Sequence, residues 1–97
     1  MKIAYELMVI LKPMLPEDIK SGVEKKINDL VAKFKGKITN TDVWGKRHLA
    51  YRIGKHEEGY YILYDFEMES QHINEFQSEI KIMSDIVRYI IIRKDRQ

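Results

Sequence analysis

The feature that most constrains the fold is residues 44–68, a strand-like stretch divided by a short polar break. Apolar residues alternate with others from position 49 to 53, which is the period of a strand with one buried face. After the polar residues 56–58, the run 59–68 is rich in tyrosine, phenylalanine, isoleucine and leucine, as strands are. The stretch therefore predicts a β-hairpin whose turn contains residues 56–58.

Two further segments show the three- and four-residue spacing of amphipathic helices. The first begins at Pro16 and ends near Gly36, which suits a left-handed helix stop. The second follows an N-cap at Ser70 and reaches position 83. Each has one apolar stripe, formed by Ile19, Val23, Ile27, Leu30, Val31 and Phe34 in the first helix and by Ile73, Phe76, Ile80 and Met83 in the second.

The predicted strands are residues 3–11, 37–53, 59–68 and 86–93, with a bulge or bend at Gly45. The last run is apolar enough to predict a central strand. The order is β-α-β-β-α-β, and helices with one stripe each cover only one face of a sheet. Short right-handed crossovers then favour a ferredoxin-like α+β sandwich with a four-stranded antiparallel sheet. We expect residues 1–97 to form this one domain.

The other face of this sheet is predicted to stay open and to carry an apolar patch rimmed by charge. Such a patch is typical of an interaction site, although ordinary strand residues kept soluble by Glu6, Asp65 and Arg88 are the alternative. A protein could lie on this face or add a strand at its edge. The predicted partner-binding residues are Met8, Ile10, Tyr61, Leu63, Arg88, Ile90 and Ile92.

The charge pattern predicts contacts with phosphate. The net charge is only +2, but bases gather on the hairpin and the last strand whereas carboxylates gather in residues 65–85. Solvated strand edges are the alternative interpretation. Arginine binds phosphate bidentately and lysine acts as a point charge, so a small patch would hold a phosphate-bearing ligand weakly by itself. The predicted phosphate-binding residues are Lys46, Arg47, His48, Arg52, Lys55, Arg93 and Lys94, and the last two could instead face a protein partner.

The sequence disfavours catalysis, metals and cofactors. It has no cysteine, and His48, His56 and His72 are not at metal-ligand spacing. No nucleophile elbow or glycine-rich phosphate loop occurs, so we expect no enzyme and no small-molecule substrate. No signal peptide or membrane span is evident, which makes the cytoplasm the expected compartment. Tyr5, Tyr51, Tyr64 and Tyr89 are expected to be core residues whose hydroxyls reach water.

Base stacking on the sheet, as in RNA-recognition domains, is also disfavoured. Such domains need an aromatic-rich motif on the third strand. The segment 58–65 offers a matching Gly59 and Tyr60, but Ile62 and Asp65 occupy positions where aromatic residues are required. A carboxylate there would repel phosphate.

The motif Gly45-Lys46-Arg47-x-Leu49-Ala50-Tyr51-x-Ile53-x-Lys55, followed by Gly59-Tyr60-Tyr61, resembles the bacterial family of small-ribosomal-subunit protein six. Length and element order agree along the whole chain, with His48 where a second arginine is common. The resemblance implies a structural protein of the small ribosomal subunit that binds ribosomal RNA together with small-subunit protein eighteen. It also implies that the predicted phosphate-binding residues are RNA-binding residues.

Without that resemblance, a homodimeric ferredoxin-like regulatory or ligand-binding domain remains the alternative. A small hydrolase such as acylphosphatase shares the topology but needs a phosphate-cradling loop after the first strand. Residues 14–18 have two carboxylates and no arginine there, which disfavours it.

Overall fold

The chain folds in the predicted order β-α-β-β-α-β, in a computed structural model that describes residues 2–50 and 56–94. The strands are β1 (Lys2–Leu11), β2 (Lys37–Ala50), β3 (His56–Glu69) and β4 (Ile86–Arg93), and the helices are α1 (Glu17–Lys33) and α2 (Ser70–Lys81). The strands pair antiparallel in the order β2-β3-β1-β4. The predicted ferredoxin-like sandwich is confirmed.

Both helices pack on one face of the sheet because apolar side chains alternate along its two central strands. Each fully buried side chain of leucine or phenylalanine size stabilises the fold by roughly 1.5–3 kcal/mol. This burial fixes which positions face the helices, and it leaves the opposite set for the other face. The core includes Tyr5, Leu7, Val9 and Leu11 of β1, Ile62, Tyr64, Phe66 and Met68 of β3, Val23, Ile27 and Val31 of α1, and Phe76 and Ile80 of α2.

Strand β4 was predicted to be central, but it is an edge strand next to β1. Tyr89 and Ile91 pack against the core, whereas Ile90 and Ile92 remain 47% and 53% exposed on the other face. The apolar run that predicted a central strand therefore has two causes: one set of side chains completes the core, and the other lines an uncovered surface.

The ends of both helices differ in detail from the sequence prediction. Lys35 rather than Gly36 adopts the left-handed conformation after α1, with φ 61°. Gly36 is needed for another reason, since a Cβ there would lie 2.6 Å from the carbonyl oxygen of Glu67. Ser70 is the first residue of α2, and the N-cap is Glu69, which makes no side-chain capping hydrogen bond.

The hairpin is longer than predicted on its second strand. Residues 56–58, expected in the turn, belong to β3, and they pair with residues 50, 49 and 48 of β2. Strand pairing outweighs the polar composition of this segment because backbone hydrogen bonds form whatever the side chains are. The predicted strand residues 51–53 lie outside the described residues. The bulge at Gly45 is confirmed by a register shift after Val43 and by φ 80° at the glycine.

Tyr64 contradicts the expectation that the core tyrosines keep wet hydroxyls. Its side chain is 1% exposed, and its hydroxyl oxygen has no hydrogen-bond partner among the described residues. Burial disfavours the charged phenolate and so raises the pKa of Tyr64 well above its usual value.

Neither described helix is long and apolar enough to cross a membrane.

Candidate nucleic-acid and protein interface

The β2–β3 hairpin extends past the end of the four-stranded sheet. Strand β1 pairs with β3 only as far as Tyr60, whereas β2 continues to pair with β3 as far as His56. Beyond that limit the two strands form a ribbon, residues 47–50 and 56–59, with Lys46 at its base. No further strand lies beside the ribbon among the described residues. The ribbon carries the basic segment of the sequence away from the body of the domain.

The structure divides the predicted basic residues of the ribbon between its two sides. Lys46 pairs with Tyr60, whose ring packs on the helix side under the ammonium of Lys20 at 4.1 Å. Arg47 pairs with Gly59 and therefore points to the opposite side, because successive strand residues alternate. Both side chains are exposed. The Nζ of Lys46 lies 3.9 Å from the Oε2 of Glu58, a weak surface pair.

Of the other three predicted basic residues of the hairpin, the structure describes only the backbone position of one. His48 lies in β2 opposite Glu58 by backbone register. Arg52 and Lys55 lie outside the described residues. Their proposed contacts with RNA therefore stay predictions.

Trp44 was not predicted as a site residue, yet it covers part of the open face. It is the extra residue of the bulge, and its ring stacks on Tyr61 with centroids 6.5 Å apart and an interplanar angle of 17°. Its Nε1 donates a hydrogen bond of 3.2 Å to Oδ2 of Asp42. A tryptophan directly before a bulge glycine was the available signal, since the extra residue changes which face the strand presents.

The open face contains a shallow hollow of about 290 Å³ lined by Glu6, Met8, Trp44, Leu63, Ile90 and Ile92. Four of the seven predicted partner-binding residues, Met8, Leu63, Ile90 and Ile92, therefore lie together around one depression. A monomeric protein rarely leaves such aliphatic side chains at its surface in one place.

Three other predicted partner-binding residues lie differently. Ile10 and Tyr61 pair across β1 and β3 and are only 2% and 3% exposed, so the expectation that they are displayed at the surface is wrong. Trp44 covers Tyr61, and Ile10 lies on a central strand close to Gly59. They form the floor of this face. Arg88 is exposed on β4 directly opposite Ile10.

Arg93 and Lys94, the other predicted RNA contacts, lie at the end of β4 and face opposite sides. Arg93 pairs with Tyr5 and so belongs to the helix side, whereas the Nζ of Lys94 lies 3.1 Å from Oδ1 of Asp65 on the open face. Asp65 lies four positions along β3 from Tyr61, which is close to the base of the ribbon, a distance of about 13 Å. Lys94 and the ribbon therefore lie at different ends of the open face, whereas Arg93 lies on the helix side.

The carboxylates of the open face are unequally neutralised. Glu6 and Asp65 are directly opposite each other on β1 and β3. Lys94 pairs with Asp65 and donates a hydrogen bond to it. Glu6 is half-buried beside Met8 and Ile92, and no ion pair or hydrogen bond to its carboxylate occurs within residues 2–50 and 56–94.

The described part of the chain contains no group of three or more histidine, cysteine, aspartate or glutamate side chains that could hold a metal ion. The exposed groups available for binding are cations on a ribbon and aliphatic side chains around a hollow. This arrangement suits a binding protein.

Comparison with known proteins identifies close relatives. A family model described as ribosomal protein S6 matches residues 4–93. The chain is 44% identical over 92 residues to small ribosomal subunit protein bS6 of Thermoanaerobacter pseudethanolicus, which covers 95% of this chain and 97% of that protein. It is 40% identical over 92 residues to bS6 of Caldanaerobacter subterraneus subsp. tengcongensis, again with 95% and 97% covered.

Among solved structures, the chain resembles the crystal structure of 30S ribosomal protein S6 from Thermotoga maritima. The TM-score is 0.85 at 27% sequence identity, and the match covers 97% of this chain and 89% of that chain. The sequence relatives and the solved structure agree on the same protein type over nearly the full length.

Proposed function

Because the chain belongs to the ribosomal protein S6 family, we propose that it binds small-subunit ribosomal RNA jointly with small-subunit protein eighteen. The family consists of structural proteins of the small ribosomal subunit, which work in the bacterial cytoplasm and are not enzymes. The proposed work of this chain is to neutralise phosphate and to hold its partner protein in register.

The extended ribbon supports the RNA part of this proposal. Lys46 and Arg47 are exposed on it, and His48, Arg52 and Lys55 are further candidates by sequence. Since Lys46 and Arg47 point to opposite sides, the ribbon would fit between two phosphate backbones or along a bent one. Such contacts position a protein without reading base sequence, so a partner is needed for specificity.

Base stacking on the sheet has little support in this geometry. An RNA-recognition sheet displays its aromatic rings to solvent so that bases can stack on them. Tyr61 lies beneath Trp44, and the carboxylate of Asp65 lies farther along the same strand. We therefore assign phosphate contacts to the ribbon and to Arg93 and Lys94 at the end of β4.

The observation that carries the protein part of the proposal is the exposed hollow beside the basic ribbon. Met8, Leu63, Ile90 and Ile92 would be covered by small-subunit protein eighteen, with Arg88 at the margin and with Ile10 and Tyr61 supporting the floor. Covering apolar surface contributes about 25 cal/mol for each Å² removed from water.

The test uses the full chain, purified small-subunit protein eighteen and a fragment of small-subunit ribosomal RNA. The double variant Leu63→Asp with Ile92→Asp should abolish binding of the partner protein, and loss of the RNA complex should follow. The double variant Arg47→Ala with Arg52→Ala should keep partner binding and weaken the three-component complex, with little change in Tm.

The matched control replaces Lys25 and Lys26 of α1 by alanine, which removes the same number of charges from the exposed helix side. This control should assemble normally. A stable homodimer of the wild-type chain that binds neither the RNA nor small-subunit protein eighteen would contradict the proposal and favour a regulatory domain.

A further inference from the structure

The open face is apolar around its hollow, but two carboxylates lie on its central strands. Glu6 and Asp65 lie directly opposite each other on neighbouring strands, where like charges repel. The single ammonium of Lys94 lies 3.1 Å from Asp65. One carboxylate, that of Glu6, is left half-buried without a cation among the described residues.

The unpaired carboxylate of Glu6 restricts which molecules can cover the open face. Aliphatic side chains surround Glu6, so an occupant that excludes water would also strip the carboxylate of its hydration, and that costs free energy unless a cation replaces the water. A phosphate backbone would meet Glu6 and Asp65 as like charges. A protein segment with a basic side chain beside an aliphatic one matches both the charge and the hollow.

We propose that the open face docks a segment of the partner protein that places one arginine or lysine against the carboxylate of Glu6 and an aliphatic side chain in the hollow. This inference rests on the proposed function and specifies how the partner is recognised. Trp44 forms one wall of the hollow, and Ile90 and Ile92 of the edge strand form another. Glu6 sets the register of the partner, because only one alignment of the docked segment on the sheet brings its arginine or lysine to the carboxylate of Glu6.

The experiment measures the Kd between small-subunit protein eighteen and the full chain carrying Glu6→Gln, which keeps the shape of the side chain but removes its charge. Losing one member of a desolvated charge pair should weaken binding roughly 30-fold or more. Glu6→Lys should weaken it further because two cations would then meet. The control is Glu67→Gln, on the same face two residues beyond Asp65 and outside the hollow, which should change Kd by less than about threefold.

Thermal unfolding of the variants separates docking from folding. Glu6→Gln relieves the repulsion with Asp65, so its Tm should equal or exceed that of the wild type while its partner affinity falls. If the wild type and Glu6→Gln bind the partner equally but Leu63→Asp does not bind, the docking inference is wrong and the proposed function stands. If the wild type does not bind the partner at all, both are wrong. If Glu6→Lys binds the ribosomal RNA fragment at least tenfold more tightly in the absence of the partner, the face takes RNA and the inference is overturned.

Discussion

The guanidinium carbon of Arg47 lies 5.8 Å from the centroid of the Trp44 ring, and its Nε donates a hydrogen bond of 3.1 Å to the carbonyl oxygen of Trp44. Trp44 in turn stacks on Tyr61. The three residues form a column from the floor of the open face to the base of the basic ribbon. This column joins the proposed RNA-binding surface to the proposed protein-binding surface.

Trp44 is the only tryptophan of the chain, and it lines the hollow, so its fluorescence reports on what covers this face. Adding small-subunit protein eighteen should shift its emission to shorter wavelength and lower its quenching by acrylamide, because water and quencher lose access. Ribosomal RNA alone should leave both quantities nearly unchanged. Equal quenching with and without bound partner would place the partner elsewhere.

Lys35→Gly should stabilise the chain by about 0.5–1 kcal/mol, since glycine adopts the left-handed conformation without the steric cost of a Cβ. Urea unfolding measures the change. Gly36→Ala, one residue away, should do the reverse and cost about 1–3 kcal/mol, because its Cβ would meet the Glu67 carbonyl oxygen at 2.6 Å. The same sign for both variants would refute this assignment of the two positions.

Gly22→Ala should also stabilise the chain, by about 1 kcal/mol, through helix propensity. Gly22 is exposed within α1, and an added Cβ would meet no heavy atom within 4 Å apart from its neighbours and the helix backbone. Calorimetry should show Tm rising by roughly 4–8 °C for a domain of this size. A lower Tm would mean that the added methyl group clashes with neighbouring atoms, contrary to the open space around Gly22.

Tyr64→Phe should raise the free energy of unfolding by about 1 kcal/mol at neutral pH, because the buried hydroxyl lacks a partner among the described residues. It should also alter the alkaline behaviour. The pKa of Tyr64 is raised above 10.0 by burial in the folded chain, so the unfolded chain loses this proton first. The free energy of unfolding therefore keeps its full value below pH 10. Above pH 10 it falls by up to about 1.4 kcal/mol per pH unit through the titration of Tyr64.

The measurement is urea unfolding of the wild type and Tyr64→Phe at pH 8 and above pH 10. The decrease in the free energy of unfolding that Tyr64 causes should occur only in the wild type. Tyr89→Phe is the matched control, since it removes a hydroxyl from a partly exposed ring that packs on the same core and leaves Tyr64 in place. Equal alkaline destabilisation of wild type and Tyr64→Phe would show that the Tyr64 hydroxyl titrates normally.

Much of the fold was predictable because burial imposes a period on the sequence. The alternation of Leu7 and Val9 in β1 and the helical spacing of Val23 and Ile27 in α1 each identify one face to be buried. The bulge at Gly45 was predictable too, since an isolated glycine within a strand pattern weakens regular pairing. These are local effects, and local sequence is enough to read them.

The errors lie where a residue depends on neighbours distant in sequence. Nothing near Ile86 says that β4 is an edge strand, because strand order follows from how both crossovers pack. Residues 56–58 are a different case, since they pair with residues 48–50 of the same hairpin, and their polar composition concealed this pairing. Gly36 looked like a helix stop, but the carbonyl of Glu67 on the neighbouring strand β3 is what excludes a side chain there.

The chain alone thus specified the element order, the covered face and the residue types available for binding, since each follows from short-range spacing and composition. Folding assigned those residues to places. Pairing and the extra residue at Trp44 decided which side of the sheet Lys46 and Arg47 each face, buried Ile10 and Tyr61, and brought Glu6 opposite Asp65. Such neighbours meet only when distant strands align, because register between strands is a property of the whole sheet.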